Sequence, residues 1–186
     1  MKKLLTLFLL VCITNDLFCQ SNEVQTFKQN NGLFKLDSTQ LLEHVKILAS
    51  DDFEGRRTGT NGAIKAKDYI ISELKNLKVQ PLSENFEQRF SFSSRKSDYD
   101  GINVLGLIEG SDYSDEYIVL SAHYDHEGIK NGVVYNGADD DASGVSALLA
   151  FADYFKKSPP NHSIILAFFD AEGNENVAYY AYIEKL

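Results

Sequence analysis

The chain has 186 residues, with 27 acidic side chains against 18 basic ones and a formal net charge of −9 at neutral pH. This excess of negative charge argues against a nucleic acid or an anionic membrane surface as a partner. The length is that of one ordinary domain, and a hydrophobic fraction of 44% is sufficient for a single core. The composition therefore predicts one folded domain with no polyanionic partner.

The first residues have the pattern of an export signal. Two lysines precede an apolar stretch at residues 4–14, and polar residues follow it. Such a stretch is too short to span a bilayer as a helix and is typical of a secretory signal peptide. We predict cleavage after Cys19, which would remove both cysteines and leave no disulfide. Residues 1–19 are thus predicted to direct the protein to the periplasm or the outside of the cell, with no membrane contact after cleavage.

Two helices are predicted at the start of the domain, which we place at residues 37–186, after an irregular segment at 20–36. Asp37 followed by Gln40 is typical of a capping box, and apolar residues at helical spacing predict a helix that ends near residue 50. A polar, glycine-bearing loop at 51–62 leads into the second helix. The two predicted apolar faces consist of Leu41, Leu42, Val45, Leu48 and Ala49, and of Ala63, Ala66, Tyr69, Ile70, Leu74 and Leu77.

Strand-like stretches follow at residues 86–92, 102–108 and 117–122, and the turn signals between them suggest antiparallel neighbours. An amphipathic helix beginning near residue 142 comes next, and a last apolar run at 163–169 predicts another buried strand. Strand, helix and strand in this order form a βαβ unit, whose two strands should lie side by side or nearly so.

His123 stands at the carboxyl end of the predicted strand at 117–122, where open α/β sheets place their chemistry. Asp125 is two residues further and should share its face. A metal-binding imidazole usually donates its other ring N–H to a carboxylate, which Asp125 could provide. His126 would point to the opposite face if the strand continued, so we assign it either to a position that supports the metal ligands or to the surrounding loop. His44 on a helix and His162 at the start of a strand are interpreted as structural or solvated.

Three consecutive aspartates, Asp139 to Asp141, precede the third helix. Aspartates at this place are ordinarily N-caps, but three adjacent carboxylates exceed what one cap requires, and a cation would relieve their repulsion. The free N–H groups and the positive dipole end of the helix favour the charged carboxylates that metals bind. With His123 nearby in the sequence, the triplet predicts part of a metal site.

Glu172 follows the last predicted strand and should lie at the same edge of the sheet as His123. Alone it would more often be a solvated loop residue. Beside a zinc ion, its carboxylate could take a proton from a water whose pKa zinc has lowered.

These segments resemble the secreted zinc aminopeptidases of metallopeptidase family 28, which use a pair of zinc ions. The resemblance is carried by residues 48–59 and 103–106, the latter placed just before a strand. Its most specific part is Ala122-His-Tyr-Asp125 followed by Gly137-Ala-Asp-Asp-Asp-Ala-Ser-Gly144. It implies an α/β fold of three layers, with a mixed, largely parallel central sheet flanked by helices. It also implies a peptide or protein substrate with a free N-terminus.

The resemblance further implies a role for each matching residue. His123 would bind one zinc, Asp125 would orient His123, Asp140 would bridge the two zinc ions, and Glu172 would be the general base. The flanking aspartates of the triplet, Asp139 and Asp141, would be caps and supports of the metal ligands.

The chain departs from the family pattern after Glu172. Family members have a second glutamate that binds zinc where this chain has Gly173, and Glu175 lies two residues too far along to be assumed a substitute. The remaining family ligands, an Asp and a His, come from a part of the domain beyond Leu186. The chain should therefore be the N-terminal portion of a catalytic domain, with about half of a two-zinc site.

Two alternatives remain open. One is a catalytically incomplete chain or an inactive, family-shaped binding protein, which Gly173 favours. The other is an enzyme like the related glutaminyl cyclases, which use one zinc; the presence of His123 with Asp125 counts against it. Oligomeric state is not predicted. Because a sheet that ends one strand after its crossover leaves an edge or face uncovered, we also expect strand residues 164–169 to be exposed and the product to be poorly soluble.

Overall fold

The computed structural model describes residues 36–94 and 97–172, which form a mixed α/β unit. The predicted class, a mixed central sheet flanked by helices, is confirmed. Several predictions fall outside the described residues, namely the signal peptide at 1–19, the irregular segment at 20–36 except its last residue, Gly173 and Glu175.

Each helix and strand predicted within the described residues is present, with short helical turns and strands added in the loops. In chain order the elements are α1 (Ser38–Leu48), a 3-10 helix (Asp51–Arg56), α2 (Asn61–Asn76), β1 (Gln80–Pro81), a 3-10 turn (Glu84–Phe86), β2 (Glu87–Ser94), β3 (Ser97–Ile108), β4 (Tyr113–His123), β5 (Gly128–Lys130), β6 (Val133–Tyr135), a π-helical turn (Ala138–Ala142), α3 (Ser143–Lys157) and β7 (His162–Phe169).

Helix α1 begins where its cap residue predicts. The Asp37 carboxylate accepts hydrogen bonds from the N–H groups of Thr39 at 2.9 Å and Gln40 at 3.2 Å. The buried face of α1 differs from the predicted apolar face. Leu42 is 56% exposed, whereas His44 is buried. His44 Nδ1 lies 2.6 Å from the Tyr69 hydroxyl on α2, and burial lowers the pKa of His44. The structural interpretation of His44 is therefore confirmed.

The order of the strands differs from the predicted order at one place. Strand β7 lies between β3 and β4, so β3 and β4 are not the antiparallel neighbours that the turn signals suggested. Of the four strand pairings in this described sheet, only β4 with β7 is parallel, and the other three are antiparallel. The prediction of a largely parallel sheet is therefore wrong for the described residues. The segment at 103–106 lies inside β3 rather than before it.

Strand β7 is buried on both faces, as a central strand of an α/β sheet should be. Ile164, Leu166 and Phe168 point to the cluster formed with the three helices, and the alternate side chains join a smaller cluster on the other face. The prediction that residues 164–169 are exposed is therefore wrong. The apolar strand that is exposed is β4, at the edge of the described sheet, where Tyr117, Ile118 and Val119 are 44% to 57% exposed.

The parallel pairing of β4 with β7 fixes the place of the predicted site. His123 pairs in register with Phe169, so the segments that follow the two strands leave the sheet side by side. The N–H of Tyr124 then donates to the carbonyl of Phe169 at 2.8 Å. Residues 123–126 and 170–172 are thereby held at one edge of the sheet.

Arg56 connects three segments around this edge. Its side chain is fully buried. The guanidinium donates to the carbonyl oxygens of Leu48 at 2.6 Å, Tyr124 at 2.7 Å, Asn136 at 2.7 Å and Gly137 at 2.8 Å. The end of α1, the segment after β4 and the turn before the aspartate triplet are therefore held by one side chain.

The charge of Arg56 is compensated by carboxylates rather than by a direct ion pair among the described residues. Burial lowers the pKa of Arg56 to about 10, and Asp125, Asp140 and Asp141 oppose this lowering. Arg56 therefore stays positively charged at neutral pH and partly balances the acidic residues of the site.

A second buried polar group, Asp170, connects the same edge to β3. Its carboxylate accepts from the Thr58 hydroxyl at 2.7 Å and from the N–H of Ile102 at 3.1 Å, while its own N–H donates to Asn103 Oδ1 at 3.1 Å. Burial raises the pKa of Asp170 to about 6, although the hydrogen bond from Thr58 opposes the rise.

We predict that Arg56→Lys lowers the free energy of unfolding by about 2 to 4 kcal/mol, because one ammonium cannot reach four buried carbonyls and unpaired buried acceptors are costly. Urea denaturation measures the difference. The matched control is Arg57→Lys at the exposed neighbouring position, where a change within about 0.5 kcal/mol is expected. Equal losses in both variants would contradict the anchoring role of Arg56.

Asp170 should leave a signature in the pH dependence of stability. Since its pKa is raised from 3.8 to about 6 on folding, the folded chain holds this proton more tightly. Its stabilising contribution is full below about pH 4 and is lost as pH rises through about 6, a change of about 3 kcal/mol. Relative to Asp170→Asn, the wild-type chain should therefore lose stability over this interval, as measured by urea denaturation at a series of pH values.

Thr58→Val tests the titration of Asp170 in a second way. Removing a hydrogen bond that favours the charged carboxylate should move the loss of stability to higher pH. A stability difference between the wild-type chain and Asp170→Asn that is independent of pH would show that Asp170 is not the titrating group.

Candidate metal centre

His123 lies between two carboxylates, one for each nitrogen of its ring. Its Nε2 is 2.9 Å from Asp140 Oδ1, and its Nδ1 is 3.1 Å from the carbonyl oxygen and 3.6 Å from the carboxylate Oδ1 of Asp125. His123 and Asp125 thus lie side by side, although β4 ends at His123 and the strand alternation used to predict this does not extend to Asp125. An Nδ1–H directed at Asp125 leaves Nε2 as the nitrogen that could bind a metal.

The pKa of His123 is raised to about 9, chiefly because the Asp125 carboxylate lies beside the ring, while burial opposes the rise. The imidazole is thus cationic at neutral pH when the carboxylates are its only partners. The neighbouring carboxylates therefore favour a positive charge at this position.

The three aspartates of the triplet have different partners. Asp141 accepts from the N–H of Gly144 at 2.9 Å and of His123 at 3.3 Å, so it caps α3 and holds the end of β4. The carbonyl oxygen of Asp139 accepts from the Ser143 hydroxyl at 3.0 Å. Only Asp140 faces the ring of His123, and the peptide bond that joins it to Asp141 is cis. Capping and metal binding are therefore assigned to separate members of the triplet.

His126 is closer to the site than the sequence suggested. Strand β4 ends at His123, so the alternation that would have turned His126 away does not apply. Its Nδ1 lies 3.5 Å from the second carboxylate oxygen of Asp140. Gly137 permits this approach, because its φ is +54° and a Cβ there would lie 2.5 Å from His126 Cγ.

Glu172 joins the same cleft from the end of β7. Its N–H donates to Asp125 Oδ1 at 3.1 Å, which ties the predicted base to the carboxylate that orients His123. The cleft has a volume of about 300 Å³. The residues predicted for the site, His123, Asp125, Asp140 and Glu172, all line it, together with His126, Arg57, Thr58, Tyr99, Glu127 and Lys130.

The donor atoms fit part of a zinc site. An imidazole Nε2 and a carboxylate oxygen are common zinc ligands, and two ligands of one tetrahedral zinc lie about 3.3 Å apart, close to the 2.9 Å between His123 and Asp140. Within residues 36–94 and 97–172, however, no group of three or more His, Cys, Asp or Glu side chains is arranged to hold a metal. The described residues thus provide two donors of the four that zinc requires.

Sequence reasoning missed three contributors to this site. Arg56 and Thr58 lie in the segment at 48–59, which carried part of the family resemblance but was assigned no site residue, and Asp170 was passed over in favour of Glu172. A signal was available for Asp170, because an acidic residue directly after a buried strand is placed like Glu172. Burial of Arg56 had no such signal, since arginine is usually exposed.

The chain matches the model of Peptidase family M28 over residues 103–180. Among curated proteins, it is 30% identical over 115 residues to a vacuolar membrane protease of Schizosaccharomyces pombe (strain 972 / ATCC 24843), covering 57% of this chain and 13% of that protein. It is 34% identical over 111 residues to the vacuolar membrane protease of Saccharomyces cerevisiae (strain YJM789), covering 60% and 11%.

Solved structures share the fold. A glutaminyl cyclase from Fimbriiglobus ruber matches with a TM-score of 0.64 and 20% identity, covering 75% of this chain and 47% of that one. A Zn-dependent exopeptidase from Parabacteroides distasonis ATCC 8503 matches with a TM-score of 0.63 and 24% identity, covering 76% and 49%.

The chain thus spans about an eighth of these curated relatives or less, and about half of these solved structures. Among the helices of the described residues, none has the length and apolar character needed to cross a membrane. The family match covers the end of β3, the β4–α3–β7 unit and most of the residues that line the cleft, which include the most specific predicted motifs. Through this segment, which is less than half of the chain, the protein is similar to peptidase family M28.

Proposed function

We propose that the protein is an exported, zinc-dependent peptidase of aminopeptidase type, which hydrolyses the peptide bond next to a free N-terminus. One observation carries the proposal. His123 and Asp140 place a nitrogen and an oxygen donor 2.9 Å apart in a cleft that Glu172 also lines. The family match supports peptide hydrolysis, and a signal peptide at 1–19 would support export to the periplasm or beyond.

His123 and Asp140 would hold zinc, two ions being expected in a complete site. Zinc bound there would polarise the scissile carbonyl and lower the pKa of a water molecule. Asp125 keeps the imidazole in place, because its carbonyl oxygen and carboxylate lie beside Nδ1 and its Oδ1 also accepts from the Glu172 N–H. Asp141 fixes the end of β4 and the start of α3.

Glu172 is proposed as the general base. Its carboxylate would accept a proton from the attacking water as the oxygen of that water forms a bond to the carbonyl carbon. The same proton would then pass to the nitrogen of the leaving amine when the carbon–nitrogen bond breaks. The position at the end of β7 suits this role, because Glu172 approaches the cleft from the strand beside the one that carries His123.

A second candidate is a catalytically incomplete chain that binds peptides without hydrolysing them. This candidate is favoured because the described residues provide two donors, whereas zinc requires about four. A third candidate, glutaminyl cyclisation, shares the fold of the Fimbriiglobus ruber enzyme. Since that likeness concerns the fold alone, both candidates are best separated by assay.

We predict that Glu172→Gln lowers kcat for hydrolysis of leucine p-nitroanilide by about a hundredfold or more, because the amide cannot accept a proton. Zinc content, measured by atomic absorption, should be unchanged. The matched control is Glu127→Gln, which removes another carboxylate from the wall of the same cleft, one that pairs with Lys130. Its activity should stay within about twofold of the wild-type value.

Three results would separate the candidates. Zinc binding with no release of nitroaniline and no cyclisation of a glutaminyl peptide would favour the incomplete chain. Cyclisation without anilide hydrolysis would favour the cyclase. Loss of activity in Glu127→Gln to the same extent as in Glu172→Gln would contradict the role of Glu172.

A further inference from the structure

A larger cavity adjoins the cleft. It has a volume of about 1030 Å³ and lies between the start of α2, the β2–β3 hairpin and the short β5–β6 hairpin. Arg57, Thr58 and Tyr99 line both spaces, so the two are neighbours that share one wall. A cavity of this size can hold a ligand of several residues.

The cations around this cavity are not equivalent. Lys67 pairs with Asp68 at 2.8 Å and with Glu87 at 2.6 Å, and Arg89 also pairs with Glu87. Arg57 also lines the cavity, and no carboxylate among the described residues lies within ion-pair distance of it. Its charge is therefore available to a ligand.

The position of Arg57 is fixed although its side chain is exposed. The Thr60 N–H and hydroxyl both donate to the Arg57 carbonyl, at 3.0 Å and 2.6 Å. The stem of the side chain packs against Gly128, where an added Cβ would lie 2.7 Å from Arg57 Cβ. One end of the guanidinium is held by Tyr99, whose hydroxyl accepts from Nη2 at 3.3 Å. A guanidinium held in this way loses little conformational entropy on binding an anion.

The wall near Arg57 can also accommodate the apolar part of a ligand. The ring of Tyr99 stacks on Phe92 with centroids 5.3 Å apart, and Phe90 also stacks on Phe92, at 6.0 Å. Tyr99 and Phe90 line the large cavity together with Ile64 and Ile129. Among the described residues, the cavity thus combines apolar walls with one cation, Arg57, that has no carboxylate partner. Four carboxylates also line it: Asp98, Asp100 and Asp170 accept hydrogen bonds from Ser93, Ser91 and Thr58, and Glu54 lies 3.7 Å from Lys65.

The neighbouring cleft is acidic. Asp125, Asp140 and Glu172 line it, so a carboxylate on a ligand would be repelled there in the absence of metal. At the shared wall the planar fork of Arg57 matches a carboxylate in shape and charge. For a peptide whose scissile bond lies at Glu172, Arg57 is therefore a cation at the shared wall that could receive a nearby carboxylate.

We propose that Arg57 and the large cavity form a subsite for a substrate carboxylate, so that preferred peptides carry an acidic side chain or a free C-terminus next to the scissile bond. The position of the scissile bond rests on the function proposed above. The subsite itself rests on Arg57, Tyr99 and the cavity.

Binding to the full chain in the Glu172→Gln background, with zinc added, tests the proposal without hydrolysis. Three matched dipeptides serve as probes in isothermal titration calorimetry: Leu-Gln amide has no carboxylate, Leu-Glu amide has one on the side chain, and Leu-Gln has one at the C-terminus. At least one carboxylate peptide should bind about tenfold more tightly than Leu-Gln amide, and the two carboxylate peptides distinguish the two sources.

Substitution of Arg57 tests whether this residue causes the preference. Arg57→Met keeps the apolar stem and should abolish the tenfold difference while leaving the affinity for Leu-Gln amide unchanged. Arg57→Lys should keep part of the difference. The matched control, Arg89→Met, removes a cation of the same cavity that is already paired with Glu87, and should keep the whole difference.

Equal affinity for the three peptides, no measurable binding of any, or a preference that survives Arg57→Met would each overturn the subsite. The peptidase proposal fails separately. A wild-type chain that shows the Arg57-dependent preference but hydrolyses no peptide would retain the subsite and reject the enzyme. Hydrolysis of peptides without the Arg57-dependent preference would retain the enzyme and reject the subsite.

Discussion

The buried guanidinium of Arg56 is the interaction on which the candidate site depends. Four main-chain carbonyls from the end of α1, the segment after β4 and the turn before the aspartate triplet converge on it within 2.6 to 2.8 Å. Each carbonyl would otherwise be a buried acceptor without a partner, at a cost of about 1 to 3 kcal/mol. Because the segment after β4 directly follows His123 and the turn before the triplet leads into Asp140, Arg56 also limits how far apart these two side chains can lie.

The pairing of β4 with β7 is the second constraint that positions the candidate site. The parallel register of β4 and β7 places His123 opposite Phe169, and the segments beyond both strands enter one cleft. Asp125 then connects them, since it lies beside the His123 ring and accepts from the Glu172 N–H. The triplet is bound to the same edge through Asp141, which accepts from the main chain of His123 and of Gly144. The site is therefore assembled largely by hydrogen bonds between side chains and the main chain.

Local patterns predicted local structure well. The cap at Asp37, the β4–α3–β7 unit and the meeting of His123, Asp140 and Glu172 follow from hydrogen-bonding capacity and hydrophobic periodicity. Strand order could not be predicted, because turn signals report which strands follow each other and not which strand inserts later between two of them. For His126 the sequence left a supporting position or a loop position open, since the approach of its ring to Asp140 depends on where β4 ends. Burial of Arg56 is decided by distant carbonyls, which no local pattern reveals.

We expect the cleft beyond β4 and β7 to bind zinc through His123 and Asp140. Anomalous diffraction at the zinc edge, from crystals of the full chain grown with zinc, tests it most directly. If zinc binds there, an anomalous peak should lie about 2.0 to 2.2 Å from His123 Nε2 and from a carboxylate oxygen of Asp140, and crystals of His123→Ala should show no peak at this position. Zinc bound only elsewhere, or a peak in the cleft that persists without the imidazole, would contradict it.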